Sequence, residues 1–144
     1  MKKIISCLVV FIISTIVLNA QINDFESLYQ KTENLEQNDN FIEALLLIDN
    51  IEQQVKGNLL TKLQIRKASC LLKTEKIQEA LNVLSVIDTN NVQSDTIIHA
   101  KYLHTLGNFY LITSQVTMAR KTYIDGLGLL NTIEDEDVMQ AEIM

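Results

Sequence analysis

The stretch Leu103-x-x-Leu106-Gly107-x-x-Tyr110, continued by Val116-x-x-Ala119-x-x-x-Tyr123-x-x-Gly126, decides how the rest of the chain is read. Both segments carry apolar residues at the three- and four-residue intervals of an amphipathic helix. Gly107 and Ala119 stand in the middle of these stripes, where two helices packed against each other would need small residues. The pattern is that of two helices in close contact, joined by the short segment between Tyr110 and Val116.

Two earlier segments superimpose on the second half of this stretch without a gap. They are Phe41-x-x-Ala44-x-x-x-Ile48 and Ile77-x-x-Ala80-x-x-x-Leu84. The three alanines are 36 and 39 residues apart. Twelve residues before each alanine stands Thr32, Ala68 or Gly107, all small enough to let a neighbouring helix approach. A recurring unit of this length, each copy holding two helical stripes, is the signature of a repeat architecture.

The pattern resembles the tetratricopeptide repeat (TPR), which reads W-x2-L-G-x2-Y followed by A-x3-F with a period of about 34 residues. Leu103 takes the place of the Trp, while Leu106, Gly107, Tyr110, Ala119 and the aromatic Tyr123 fall in step. The resemblance spans about Phe25 to Asn131, and the proline that often closes such repeats is absent, the chain having none. It implies an all-α solenoid of three helix-turn-helix repeats that binds other proteins and whose motif residues are structural.

Composition agrees with a helical domain. Of the 144 residues, 47% are apolar, enough for a core, and 21% are charged, below the level of a disordered chain. Three of the four glycines (Gly107, Gly126 and Gly128) lie in the last copy. The formal charge is −6, and removal of a segment carrying Lys2 and Lys3 takes it to −8. Such an acidic chain disfavours a phosphate backbone, so nucleic acid is not expected as a partner.

Met1 to Ala20 reads as a processing signal. Lys2-Lys3 is followed by an apolar run from Ile4 to Leu18, and Leu18-Asn19-Ala20 offers a small residue just before Gln21. An uncleaved anchor is the alternative, but fifteen helical residues reach only about 22 Å against a hydrocarbon core of about 30 Å. Export to the periplasm or the extracellular space is therefore expected, with no stable membrane span after cleavage. Cys7 lies inside the apolar run, not after it, so it does not suit lipidation.

The expected helices come in pairs. The first is about Asn23–Gln37 and Asn40–Gln54, turned by Asn38-Asp39-Asn40, with Asn40 and Glu43 set as a capping box. The second is about Asn58–Lys73 and Glu75–Ile87, followed by a long loop over Asp88–Ser94 in which Ser94 caps the next helix. The third is about Asp95–Thr113 and Gln115–Thr132. Glu134-Asp135-Glu136-Asp137 places negative charge where a further helix would start. This divides the chain into a signal at 1–20, a repeat domain at 21–134 and the start of another helix at 135–144. Leu127, Leu129, Leu130 and Ile133 follow closely in the final full helix, more apolar surface than its own partner covers. A continuation or a docked partner is expected there, the alternative being that Val138–Met144 folds back as a lid.

Candidate chemistry is sparse. Cys70 is the only cysteine left after processing, so no intramolecular disulfide is expected, and its place on a packed helix marks an inert thiol. His99 and His104 are five apart, about 140° around a helix, and cannot share a metal. Glu134–Asp137 lacks the alternate spacing and glycine of a calcium loop. No phosphate loop, Ser-His-Asp set or paired catalytic carboxylates appears, so neither catalysis nor a cofactor is expected.

The resemblance implies a groove lined by the first helix of each pair. That face would carry Glu26, Tyr29, Glu33 and Glu36 in the first copy. Lys62, Ile65, Ser69 and Lys73 would follow in the second, and Lys101, His104, Asn108 and Leu111 in the third. One end would be acidic and the other basic. Some relatives grip a peptide C-terminal carboxylate with Lys, Arg and Asn. Lys62 and Arg66 reproduce one turn of that grip, whereas Tyr29 and Glu33 stand where a Lys and an Asn should be. The expected function is a scaffold or adaptor for a protein or peptide. The alternative is the sensor or regulatory segment of a longer signalling or enzyme protein.

Overall fold

The computed structural model describes the backbone of residues 24–143 and the side chains of residues 24–132. The expected processing signal and Cys7 lie outside the described residues. Every regular element among those described is helical. In chain order they are α1 (24–37), α2 (Phe41–Ile51) extended by a 3-10 turn at Glu52–Gln54, α3 (Gly57–Lys73), α4 (Ile77–Val86), α5 (Thr89–Gln93), α6 (Thr96–Ile112) and α7 (Val116–Ile143).

Three turns share one geometry. Asp39, Glu75 and Ser114 adopt the left-handed conformation with φ of 59°, 61° and 62°. At each, the following amide reaches back to close the preceding helix: Asn40 to the Leu35 carbonyl (2.9 Å), Lys76 to Leu71 (2.9 Å) and Gln115 to Tyr110 (2.8 Å). A second bond runs from the left-handed residue itself, as from Asp39 to Glu36 at 3.1 Å. This is the Schellman closure, which satisfies helix-end carbonyls left without intrahelical partners. The carbonyl of the next residue (Asn40, Lys76 or Gln115) then accepts the first bond of the following helix, from Ala44, Ala80 and Ala119, each at 3.0 Å. One helix therefore ends and its partner begins within about three residues, which turns the chain back on itself.

The small residues sit where this folding back needs them. Ala44, Ala80, Thr32 and Ala68 are fully buried and Ala119 nearly so. The Thr32 hydroxyl donates to the Tyr29 carbonyl at 2.7 Å, so its burial strands no polar group. At Gly107 a Cβ would fall 2.5 Å from Cε1 of Tyr123, so any larger residue there would force the Tyr123 ring out of its place between α6 and α7. At Gly126 a Cβ would meet Leu103 at 3.4 Å, ordinary contact at its close limit.

Two apolar clusters hold the helices together. One joins α1, α2 and α3 through Tyr29, Ile48, Ile51, Val55 and Leu63. The other joins α3, α4, α5 and α6 through Ile65, Ala68, Leu71, Leu84, Val92, Ile98 and Phe109. Fully burying an Ile or Leu such as Ile48 or Leu63 contributes about 1.5–3 kcal/mol each. Lys67 ties α3 to the end of α2, with Nζ 2.7 Å from both Asp49 and Glu52.

Four local expectations are corrected. The Asn40 side chain makes no capping bond; α2 starts through its backbone carbonyl alone, within the tight turn. The stretch after Asp88 is helical, as α5, because Asp88 caps it through Asn90 and Val92 anchors it in the core. Asp95, not Ser94, caps α6, its carboxylate accepting from the amides of Ile97 and Ile98 at 3.0 Å each. No new helix starts at 135: α7 runs unbroken from Val116 to Ile143, with Glu134–Asp137 inside it. Neither Gly nor Pro interrupts it after Gly128, so nothing in the backbone ends it there.

Two stability outcomes follow. Gly107→Leu and Ala119→Leu should each lower stability by roughly 1–3 kcal/mol or more in urea unfolding, through overpacking. Thr89→Ala, exposed in the first turn of α5, should stay within about 0.5 kcal/mol. Equal midpoints for the three would contradict the α6–α7 contact. Glu75→Gly should instead stabilise by about 0.5–1 kcal/mol, because Glu75 is exposed and left-handed and a side chain is disfavoured in that conformation.

Candidate functional site

Between α1, α3, α6 and α7 lies a cavity of about 650 Å³. Its α1–α3 side is polar, and Arg66 organises it. Arg66 reaches this position because α3 turns one face to α1 while its opposite face packs on α4. The side chain is 7% exposed, so each polar partner counts. Nη1 donates to Glu36 at 2.6 Å. Nη2 donates to the Tyr29 hydroxyl at 3.0 Å and lies 3.2 Å from Glu33. The guanidinium also sits 4.7 Å from the centre of the Tyr29 ring. Ser69 donates to the other oxygen of Glu36 at 2.7 Å. Only Nε lacks a partner among the described residues.

Burial works against the guanidinium charge, but the Tyr29 hydrogen bond and the Glu36 and Glu33 carboxylates outweigh it, and its pKa is raised. Lys67 follows the same logic: burial opposes its charge, and Asp49 and Glu52 more than restore it. Cys70 lies buried on the same helix. Burial, reinforced by the Glu36 charge, pushes its thiol up to about 12. A thiol held protonated in this way is a poor nucleophile.

The opposite side of the cavity is apolar. Tyr123, Gly126, Leu127 and Leu130 line it from α7, and Ile97, Ile98 and Ala100 from the first turns of α6. Leu127 is 60% exposed and Leu130 43%. Lys101 and His104, both on α6, stand between the two sides. Lys101 is half exposed and its Nζ is 3.9 Å from Glu33. His104 meets the Tyr123 ring at 6.0 Å between centroids. Lys62 reaches over the Tyr29 ring at 5.9 Å and has no carboxylate within ion-pair distance among the described residues.

The structure brings Lys62, Ile65, Ser69, Lys101 and His104 to this cavity, with Tyr29, Glu33 and Glu36. Ile65 contributes little to its open surface, since it is 5% exposed and belongs to the core. Glu26, Lys73, Asn108 and Leu111 are not among its lining residues. Lys73 closes α3 and is exposed at the far end of that helix. Asn108 accepts a hydrogen bond from the Tyr123 hydroxyl at 2.6 Å and so joins α6 to α7. Leu111 is exposed on the last turn of α6.

The expected separation of an acidic end from a basic end is also corrected, because Arg66 and Lys101 stand directly against Glu33 and Glu36. Arg66 cannot serve as one turn of a carboxylate grip while those groups hold it. The α7 contribution escaped the sequence reading, although Tyr123, Gly126, Leu127 and Leu130 recur at helical spacing within and just beyond the stretch that decided the fold.

No family model, curated protein or solved structure matches the chain. Among the described residues, no helix is long and apolar enough to cross a membrane.

The raised pKa values carry a sign. A group whose folded pKa lies above its unfolded value stabilises the fold fully below the unfolded pKa and loses that contribution as pH climbs to the folded one. Cys70, Lys67, Tyr102 and Tyr123 are all raised. The melting temperature should therefore fall from about pH 9 upward, and Cys70→Ala should flatten the early part of that fall. Peptide-resolved alkylation at pH 8 should leave Cys70 unmodified until denaturant is added. Rapid labelling of the native chain would contradict its burial.

Proposed function

We propose that this chain is a non-catalytic interaction module working outside the cytoplasm, its three helical hairpins stacked as a TPR-like solenoid. The shared turn geometry at 36- and 39-residue intervals and the buried small residues support that architecture. The Met1–Ala20 pattern supports export. The cavity receives a short segment of a protein partner, with an apolar side chain against Leu127 and Leu130 and a carboxylate near Lys62 and Lys101.

The observation that carries this reading is the opposition of an exposed apolar wall and a polar wall whose carboxylates already have cationic partners, leaving Lys62 without one. A few placed polar groups opposite apolar walls are the usual make-up of a recognition pocket. Cys70 is not a nucleophile in this reading, since its thiol is buried and held protonated.

Peptides ending in an apolar residue and a free carboxylate are the natural probes. Lys62→Glu and Lys101→Glu should each weaken binding several-fold in fluorescence anisotropy and reduce its salt dependence. Lys73→Glu, away from the cavity, should change neither. Equal affinities for all three variants would remove the cavity from the proposal, and a secreted product that keeps Met1 on N-terminal sequencing would remove the processing step.

A further inference from the structure

We propose that the cavity also binds a small amphipathic carboxylate, a free medium-chain fatty acid, with its head at Lys62 and its chain against the α7 wall. This uses the same cavity as the peptide reading but does not require that reading to hold.

Volume limits the occupant first. The cavity holds about 650 Å³, within the range of pockets that take a small molecule. Ile97, Leu127 and Leu130, 53%, 60% and 43% exposed, then supply an apolar wall that no other described part of the chain covers. A linear hydrocarbon fits such a surface with no hydrogen bond left unmade.

Charge decides the head group. Five charged side chains line the cavity: Glu33, Glu36, Lys62, Arg66 and Lys101. Three are positive and two negative, and both carboxylates are engaged by Arg66. A cationic head would have to compete with a buried guanidinium for those carboxylates, leaving Arg66 uncompensated. An anionic head meets Lys62, which has no carboxylate to give up, and breaks nothing. The unspent capacity of the wall is a donor, and its complement is an acceptor that carries negative charge.

Titration calorimetry with octanoate, decanoate, decanol and decylammonium, each below its micellar concentration, tests the proposal on the full chain. Affinity should rise about four-fold per added methylene between octanoate and decanoate. Decanoate should bind at least about ten-fold more tightly than decanol or decylammonium. Lys62→Glu should abolish that preference, and Leu127→Asp should weaken decanoate at least ten-fold. Leu130→Asp, a second exposed site, guards against a folding defect in the first, with helical circular dichroism checked for each. These variants also separate the cavity from the apolar run at Ile4–Leu18. No decanoate binding, equal affinity for the three head groups, or decanoate binding unaltered by both Lys62→Glu and Leu127→Asp would overturn the inference. Peptide binding measured in parallel distinguishes this failure from that of the adaptor reading, since either can occur without the other.

Discussion

A guanidinium taken out of water is tolerated only if the protein replaces nearly all of its solvation, and Arg66 shows where this chain does so. Glu36, Glu33 and Tyr29 all lie on α1, more than 29 residues earlier in the chain, and all converge on this one side chain from α3. The pairing fixes α1 against α3 in a single rotation and height, since a turn of either helix would strand a buried charge. It also builds the polar wall of the cavity and carries Ser69 and Lys101 with it through the same two carboxylates. Replacing such a cluster with apolar residues is often neutral or stabilising, so its contribution lies in geometry as much as in stability.

The rest of the fold meets that constraint through backbone devices. Each left-handed turn reverses the chain in about three residues, so the paired helices must lie side by side. Once they do, the residue at the crossing sets how near they approach. Alanine suffices on α2, α4 and α7, while α6 needs Gly107 because the Tyr123 ring occupies the space a Cβ would take. The same ring donates its hydroxyl proton to Asn108 and lines the cavity, so one contact links packing of the last hairpin to the shape of the site.

Two walls of opposite character give the cavity its chemistry. The polar wall belongs to the first two hairpins: Arg66 engages both of its carboxylates, and Lys62 has no carboxylate partner among the described residues. The apolar wall belongs to the last hairpin, and no other described residue covers it. The cavity thus sets a cation without a carboxylate partner among the described residues opposite exposed leucines.

The sequence by itself determined the helical pairs, the places where small residues must stand and the burial of Cys70. These follow from the helical period that an amphipathic stretch of about twenty residues displays. Local hydrogen-bond competition was less legible: Asp88 and Asp95 win the capping positions because their carboxylates reach amides two or three residues ahead, and Val92 turns an apparent loop into a packed helix. Only the tertiary structure decided which lysines share a cavity, that Arg66 is committed to Glu33 and Glu36, and that α7 supplies a wall. Helical spacing gives the angle of a side chain around its own axis. The crossing of one helix over another decides what that side chain meets, and that crossing is set by burial and charge pairing between residues some thirty positions apart.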